Sequence, residues 1–193
     1  GFPEFWYSWR HQIPMLSRHF RVVAPDLRGY NESYKPMEVA RYSNDLLIKD
    51  IKDLVHALGE KRAVVVGHDW GGAVAWMLAM NAQEYVSKVA LLNCPHPLSL
   101  VEAFLTMKFR QLQKSWYIFF FQTPKVPEEV LSRNNYEFMK KMVFGSTVNK
   151  KALTEEDEKK YVEAWSKTGA LTGGISYYRA NMNIAQLRTI PKE

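Results

Sequence analysis

Residues 64–76 read Val64-Val65-Val66-Gly67-His68-Asp69-Trp70-Gly71-Gly72-Ala73-Val74-Ala75-Trp76, and this stretch decides the fold. Three β-branched residues predict a strand, the glycines predict a tight turn, and the residues after the turn favour a helix. A sharp junction of this kind can hold the side chain at its apex in a strained, exposed position above a sheet. Asp69 occupies that apex.

A carboxylate at the apex indicates a particular chemistry. The usual pattern at such a junction is Gly-x-Ser-x-Gly, in which the serine attacks an acyl carbon. An aspartate instead attacks strained or halogenated saturated carbon and becomes an alkyl ester. Asp69 therefore points to epoxides or alkyl halides as substrates. The structural alternative is an ordinary turn in which Asp69 only caps the following helix.

The segments around the junction alternate between strand and helix patterns. Buried strands are predicted over residues 20–25, 61–66 and 88–93. An amphipathic helix over 43–59, with Ser43 as its N-cap, and a second helix over 70–81 connect them. This alternation predicts an α/β fold with a partial, mostly parallel sheet whose strands are buried on both faces. Ligands bind at the carboxyl ends of such strands.

The pattern changes after residue 97, where helical signals continue with no convincing strand. Thr154 followed by Asp157 resembles a capping box. We interpret residues 1–97 as the N-terminal part of an α/β core, 98–186 as an aromatic-rich helical lid, and 187–193 as the start of a returning core segment. Most of the lid aromatics are expected to seal the lid onto the sheet.

The composition excludes several classes of function. The net charge of +6 is spread along the chain without a basic block, so nucleic-acid binding is not indicated. Cys94 is the single cysteine and is expected to pack, and no Cys or His cluster has the spacing of a metal site. The apolar run over 116–121 is too short to span a bilayer. Since the chain does not begin with methionine, we leave open a cytoplasmic location and anchoring through a segment before Gly1.

Four motifs spread over nearly the whole chain resemble those of the α/β-hydrolase-fold epoxide hydrolases. They are Gly1-Phe2-Pro3-Glu4 with Trp9-Arg10, Asp26-Leu27-Arg28-Gly29-Tyr30, Gly67-His68-Asp69-Trp70-Gly71-Gly72, and Asn93-Cys94-Pro95-His96-Pro97. The resemblance implies the α/β-hydrolase fold and hydrolysis of an epoxide to a vicinal diol. The partners it implies are a small apolar epoxide and water, with no cofactor and no metal.

The resemblance also implies a set of site residues. Asp69 matches the nucleophile, and the backbone N–H groups of Phe2 and Trp70 match the two donors of the oxyanion hole. Tyr117, in the stretch Tyr117-Ile118-Phe119-Phe120-Phe121-Gln122, and Tyr178, followed by Arg179, match two lid tyrosines that hold and protonate the epoxide oxygen. A phenol suits that task because it donates a hydrogen bond at neutral pH.

The chain departs from the family pattern in the second half of the reaction. Hydrolysis of the ester requires a histidine base and an acid that orients it, carried on later loops. We assign none of the five histidines as that base; His96 matches a structural position, and the amide of Asn93 cannot serve as an acid. We therefore interpret the chain as an internal fragment without the opening strands or the closing acid and histidine segment, and expect no turnover from it alone.

Two other functions stay open at this stage. A haloalkane dehalogenase shares the Asp-Trp pair and binds halide through the indole of Trp70. Against it, many dehalogenases place an asparagine where this chain has Phe2, and the paired tyrosines have no role there. The second alternative is a hydrolase-fold binding protein without turnover. The sequence leaves membrane association and a homodimer open.

Overall fold

A computed structural model describes residues 1–106, 113–145, 147–149 and 152–182. The strands are β1 Ala63–His68 and β2 Val86–Leu92, and the α-helices are α1 Ile13–Leu16, α2 Asn44–Ala57, α3 Trp70–Asn81, α4 Pro97–Leu105, α5 Trp116–Phe121, α6 Val126–Lys140, α7 Glu155–Ser166 and α8 Ala170–Asn181. The 3₁₀ turns are Trp6–Trp9, Val39–Tyr42 and Gln83–Tyr85, and Lys141–Gly145 is π-helical. The segment predicted over 187–193 lies outside the described residues.

The described residues form two compact units. The first contains Gly1 and the described parts of Glu38–Pro124 and Ile175–Glu193. The second contains Phe2–Met37 and the described parts of Lys125–Gly174. The predicted division at residues 97 and 186, and the role of a lid, stay predictions.

The first unit is built on a strand–helix–strand crossover. β1 and β2 pair in parallel, with Val65 opposite Val89 and His68 opposite Leu92. A parallel pair needs a crossover connection, and α3 supplies it. α3 is apolar on every side and buries Val74 and Leu78, so it is a core helix rather than an amphipathic surface helix. The parallel sheet and the helix over 70–81 are confirmed.

Two expectations about the strands are wrong. The strand predicted over residues 20–25 is not formed: residues 21–27 have no regular secondary structure, and no strand is described in the second unit to pair with them. The strands are also not buried on both faces, since Val64 and Val66 are 48% and 43% exposed. Side chains alternate across a strand, so these two valines share one face, and that face is open.

The turn between β1 and α3 depends on close backbone approach. A Cβ atom on Gly67 would overlap the carbonyl oxygen of Gly71 and lie 2.7 Å from Cα of Gly72. A Cβ atom on Gly72 would lie 2.6 Å from Cβ of Cys94. At Gly71 a Cβ atom would meet nothing within 4 Å. Two of the three glycines are therefore required by space, and the one at Gly71 is not.

The start of α2 is held by α8 rather than by its own cap. Ser43 occupies the predicted N-cap position, but its side chain makes no capping hydrogen bond. Instead the backbone N–H of Asn44 donates to Oδ1 of Asn181 at 2.9 Å, and Nδ2 of Asn181 donates to the carbonyl of Tyr42 at 2.8 Å. Tyr177 adds a fully buried ring 5.6 Å from that of Tyr42. α8 is thus fixed at its C-terminal end.

Contacts at both ends of α7 connect parts of the second unit. Oγ1 of Thr154 accepts from the backbone N–H of Asp157 at 3.2 Å, and Oδ2 of Asp157 accepts from the N–H of Thr154 at 2.7 Å. This confirms the predicted capping box. The same carboxylate pairs with Arg10 at 2.9 Å, and Trp165 Nε1 donates to the carbonyl of Pro3 at 2.6 Å. The N-terminal segment is therefore docked on α7.

The helices that follow residue 97 agree with the predicted helical region, since no strand occurs among its described residues. α6 is interrupted at 133–136, where Asn134, Asn135 and Tyr136 have φ of +49°, +53° and +60°. Across the described ranges, none of the helices combines the length and the apolar character that crossing a membrane requires.

The glycine pair Gly67 and Gly71 provides a test of this turn. We expect Gly67→Ala to lower the free energy of unfolding by about 2 kcal/mol or more, because the new methyl group meets backbone atoms that cannot move aside. Gly71→Ala should change it by no more than about 0.5 kcal/mol, because its Cβ enters open space. Urea unfolding followed by circular dichroism measures both. Equal effects of the two substitutions would contradict this account of the turn.

Candidate active site

Asp69 stands at the apex of the turn in a strained conformation. Its φ and ψ are 53° and −121°, in a region that side-chain-bearing residues rarely adopt. The strain is maintained because the carbonyl of Asp69 accepts from the N–H of Ala73 at 2.9 Å and its N–H faces the carbonyl of Leu92 at 3.4 Å. The Asp69 side chain makes no hydrogen bond that caps α3. The simple capping alternative therefore does not account for this carboxylate.

Gly1 lies directly against the Asp69 carboxyl group. A Cβ atom on Gly1 would overlap the side chain of Asp69, so only glycine allows the backbone to pass this closely. Both residues belong to the first unit. The backbone of Gly1 therefore passes beside the carboxylate.

The two predicted tyrosines lie side by side. Tyr117 on α5 and Tyr178 on α8 have ring centroids 5.8 Å apart in an edge-to-face arrangement. The Trp70 ring packs edge-on against Tyr178 with centroids 5.1 Å apart, and both of these residues are 4% exposed. Trp70, the residue that follows Asp69, therefore contacts Tyr178, and Tyr178 in turn contacts Tyr117.

The charge of Asp69 reaches both phenols. Burial, followed by the negative charge of Asp69, raises the pKa of Tyr117 above its ordinary value. Burial, Asp69 and Tyr117 together raise the pKa of Tyr178 well above its ordinary value. Both phenols consequently remain protonated at neutral pH and can donate hydrogen bonds near the carboxylate.

The side chain of Trp70 has a role that the sequence did not reveal. A hydrogen bond between the side chains of Trp70 and Tyr178 opposes the rise in the pKa of Tyr178. Because an indole can only donate, the phenol oxygen of Tyr178 is the acceptor in this interaction. The only sequence signal for this was an aromatic residue adjacent to the apex.

The predicted oxyanion donors lie in different units. Trp70 is the first residue of α3, where backbone N–H groups have no acceptor within the helix. Phe2 belongs to the second unit, and its ring occupies the space that a side chain on Gly174 would fill, with Cδ2 2.5 Å from a Cβ built there. The oxyanion hole stays a prediction.

Cys94 and His96, which follow β2, pack against neighbouring residues. Cys94 packs on Gly72, and burial followed by the charge of Asp69 raises the pKa of its thiol. The thiol therefore stays protonated at neutral pH and is a weak nucleophile. The ring of His96 lies 4.7 Å from that of Trp76, and its Nδ1 accepts from the N–H of Leu98 at 3.3 Å. Among the described residues, no three His, Cys, Asp or Glu side chains are arranged to hold a metal ion.

Comparison with known proteins identifies many relatives. A family model described as alpha/beta hydrolase fold matches residues 1–185. The chain is 44% identical over 181 residues to the AB hydrolase superfamily protein YfhM of Bacillus subtilis, covering 93% of this chain and 63% of that protein. It is 43% identical over 183 residues to Epoxide hydrolase 4 of Mus musculus, covering 93% of this chain and 51% of that protein.

The solved structures agree with these relatives. A crystal structure of a Bacillus megaterium epoxide hydrolase in complex with an inhibitor superposes with a TM-score of 0.90 at 36% identity, covering 100% of this chain and 69% of that one. A structure of the epoxide hydrolase VrEH1 from Vigna radiata gives a TM-score of 0.79 at 35% identity, covering 93% and 62%. The chain spans between half and two thirds of the length of the two curated relatives described above.

The influence of Asp69 on the phenols can be measured by titration. We expect Asp69→Asn to lower the pH at which Tyr117 and Tyr178 ionise, because removing a nearby negative charge favours the phenolate form. Their pKa values should still exceed the ordinary value, since burial persists. Ultraviolet difference titration measures phenolate formation, and the same comparison in a Tyr117→Phe, Tyr178→Phe background isolates these two residues. Asp45→Asn, at an exposed site, is the control and should leave the curve unchanged. An unchanged curve for Asp69→Asn would show that its charge does not reach the phenols.

Proposed function

We propose that this chain, which belongs to the α/β-hydrolase fold family and within it to the epoxide hydrolases, carries the groups that open an epoxide ring. Asp69 is the nucleophile, and Tyr117 and Tyr178 are the donors to the epoxide oxygen. The observation that carries the proposal is the pair of adjacent phenols, both protonated at neutral pH, whose pKa values respond to the charge of a strained aspartate. An apolar epoxide fits the aromatic surroundings of Tyr178.

Ring opening moves negative charge from the carboxylate to the ring oxygen. A carboxylate oxygen of Asp69 forms a bond to one epoxide carbon, and the bond between that carbon and the ring oxygen breaks. The ring oxygen keeps the electron pair and takes a proton from a phenol, which leaves a hydroxyalkyl ester on Asp69. Two phenols can share this task, one donating a hydrogen bond while the other gives up its proton.

The same movement of charge makes the phenols better acids when they are needed. Before reaction, the charge of Asp69 helps to keep the pKa values of Tyr117 and Tyr178 raised. As the ester forms, that charge disappears, and its contribution to both pKa values is lost. Proton donation therefore becomes easier at the moment when the ring oxygen becomes basic. This coupling needs no movement of the protein.

The second half of the reaction would release a vicinal diol. Water attacks the ester carbonyl of Asp69, and negative charge develops on the carbonyl oxygen. We infer that the N–H group of Trp70 stabilises this oxyanion; loss of one such donor typically costs about 2.7–4 kcal/mol. Support comes from the position of Trp70 at the start of α3, directly after Asp69. We assign no histidine of this chain as the base that activates the water.

Trapping the ester tests the proposal. We expect the protein to gain the mass of one styrene oxide molecule at Asp69 after rapid acid quenching, measured by intact-mass and peptide mass spectrometry. Asp69→Asn should abolish the adduct, because an amide is not a nucleophile of this kind. Tyr117→Phe and Tyr178→Phe should each slow its formation by about a hundredfold, since each removes a proton donor. Tyr34→Phe, at a residue 72% exposed, is the matched control and should have no effect.

Two results would contradict the proposal. Release of halide from a chloroalkane without reaction of the epoxide would identify a haloalkane dehalogenase. Reversible binding of the epoxide with no adduct at Asp69 would identify a binding protein.

A further inference from the structure

We propose that Gln122 and Arg179 are positioning residues that lock α5 to α8 and thereby fix Tyr117 and Tyr178 relative to each other. The inference rests on the proposed function, because it concerns the two phenols assigned there as donors. It identifies two residues outside the reacting groups whose side chains join the helices that carry those phenols. All of the residues involved belong to the first unit.

Gln122 reaches from α5 to the carbonyl of the tyrosine on α8. Its Nε2 atom donates to the backbone oxygen of Tyr178 at 3.1 Å and to that of Ile118, within its own segment, at 3.3 Å. An amide nitrogen has two N–H groups, so one can serve each helix. The Tyr178 oxygen also accepts from the backbone N–H of Met182 at 2.9 Å, which means that the helical hydrogen bond is kept.

Arg179 makes the reciprocal connection from α8 to α5. Its Nε atom donates to the carbonyl of Phe121 at 2.9 Å, and its Nη2 atom donates to the carbonyl of Thr123 at 2.8 Å. The last carbonyls of a helix have no partner within it, so the guanidinium satisfies groups that would otherwise need another donor. The positive charge also lies at the C-terminal end of α5, where a cation is favourable.

The two connections cross between the same pair of short segments. Gln122 follows α5, the helix of Tyr117, and donates to the backbone of α8. Arg179 follows Tyr178 on α8 and donates to the backbone at the C-terminal end of α5. α5 has six residues and is too short to be stable alone, so its position depends on such contacts. The ring of Phe121 is 3% exposed and packs against both phenol rings. Its centroid lies 5.8 Å from that of Tyr117 and 4.9 Å from that of Tyr178.

This arrangement matters because two donors must meet one oxygen atom. Proton transfer requires the donor and acceptor to lie within hydrogen-bond distance at the same time. Packing of Phe121 limits how closely α5 and α8 approach, but it does not prevent one helix from sliding along the other. Directional hydrogen bonds to fixed carbonyl groups prevent that sliding. Gln122 and Arg179 would therefore act on the rate of ring opening through the phenols.

Single-turnover formation of the Asp69 ester tests the proposal. We expect Gln122→Glu, which keeps the shape but loses the donor, and Arg179→Met each to lower the maximal rate of ester formation by about five- to tenfold. The epoxide concentration that gives half of that rate should hardly change. Arg179→Lys should recover part of the rate, because a lysine can reach one carbonyl but cannot bind two as a fork. Gln83→Glu and Arg62→Lys, both at exposed sites, are the matched controls.

A second measurement separates positioning from general stability. In a Tyr178→Phe background, Gln122→Glu should slow the reaction by no more than about twofold, because the phenol through which it acts is already gone. Thermal unfolding followed by circular dichroism identifies any variant that fails to fold. If Arg179→Met fails to fold, the rate of the Arg179→Lys variant decides the test for position 179.

The outcomes distinguish this inference from the proposed function. Normal rates in the Gln122 and Arg179 variants, with a slow Tyr178→Phe variant, would overturn the positioning role and leave the proposed function intact. Full, independent losses in the Tyr178→Phe background would identify a purely structural role and also overturn it. Absence of any ester in the unmodified protein would overturn both proposals together.

Discussion

The close approach of backbone at Gly67, Gly71 and Gly72 is the constraint on which the site depends. The overlap that a Cβ at Gly67 would create means that β1 can run directly into α3 only if that atom is missing. The sharpness of the turn then forces Asp69 to a φ of 53°. A looser loop would let the carboxylate relax into an ordinary cap at the start of α3, and the chain would lose the exposed apex. A steric requirement at Gly67 thus fixes the backbone conformation of Asp69.

The electrostatics of the site follow from that position. The carboxylate is held at the N-terminal end of α3, and its negative charge raises the pKa values of two phenols on separate helices. Burial alone would make those phenols poor acids, and the charge of Asp69 adds to the effect. In the proposed reaction, ester formation at Asp69 would remove one of the two causes and leave the other. The acidity of the phenols would then change with the progress of that reaction while the atoms of the protein stay in place.

Much of this arrangement was predictable because it depends on local patterns. The strand–turn–helix junction, the parallel pairing of β1 with β2 and the capping box at Thr154 are each encoded within a few residues. The failures have a different cause. Residues 20–25 have the composition of a strand, but a strand also needs a neighbour, and composition does not report one. The exposure of Val64 likewise depends on what packs against the sheet.

The side-chain connections were harder to anticipate than the proposed site residues. Tyr117 and Tyr178 are proposed as donors from the motifs around them, whereas Gln122, Arg179 and Asn181 bind backbone carbonyls or N–H groups that leave no signature in the sequence. Their partners are distant along the chain, as with Gln122 and Tyr178, which are separated by 56 positions. Only the folded arrangement reveals which polar side chain meets which backbone group.

The joint between α5 and α8 has a consequence for evolution. Its acceptors are main-chain oxygens, and no substitution at Phe121, Thr123 or Tyr178 can delete them. Selection could therefore exchange the side chains that surround a bound molecule while the joint itself persists. Related proteins could in this way differ in the molecules that they bind while keeping the α5–α8 connection that aligns the hydroxyl groups of Tyr117 and Tyr178.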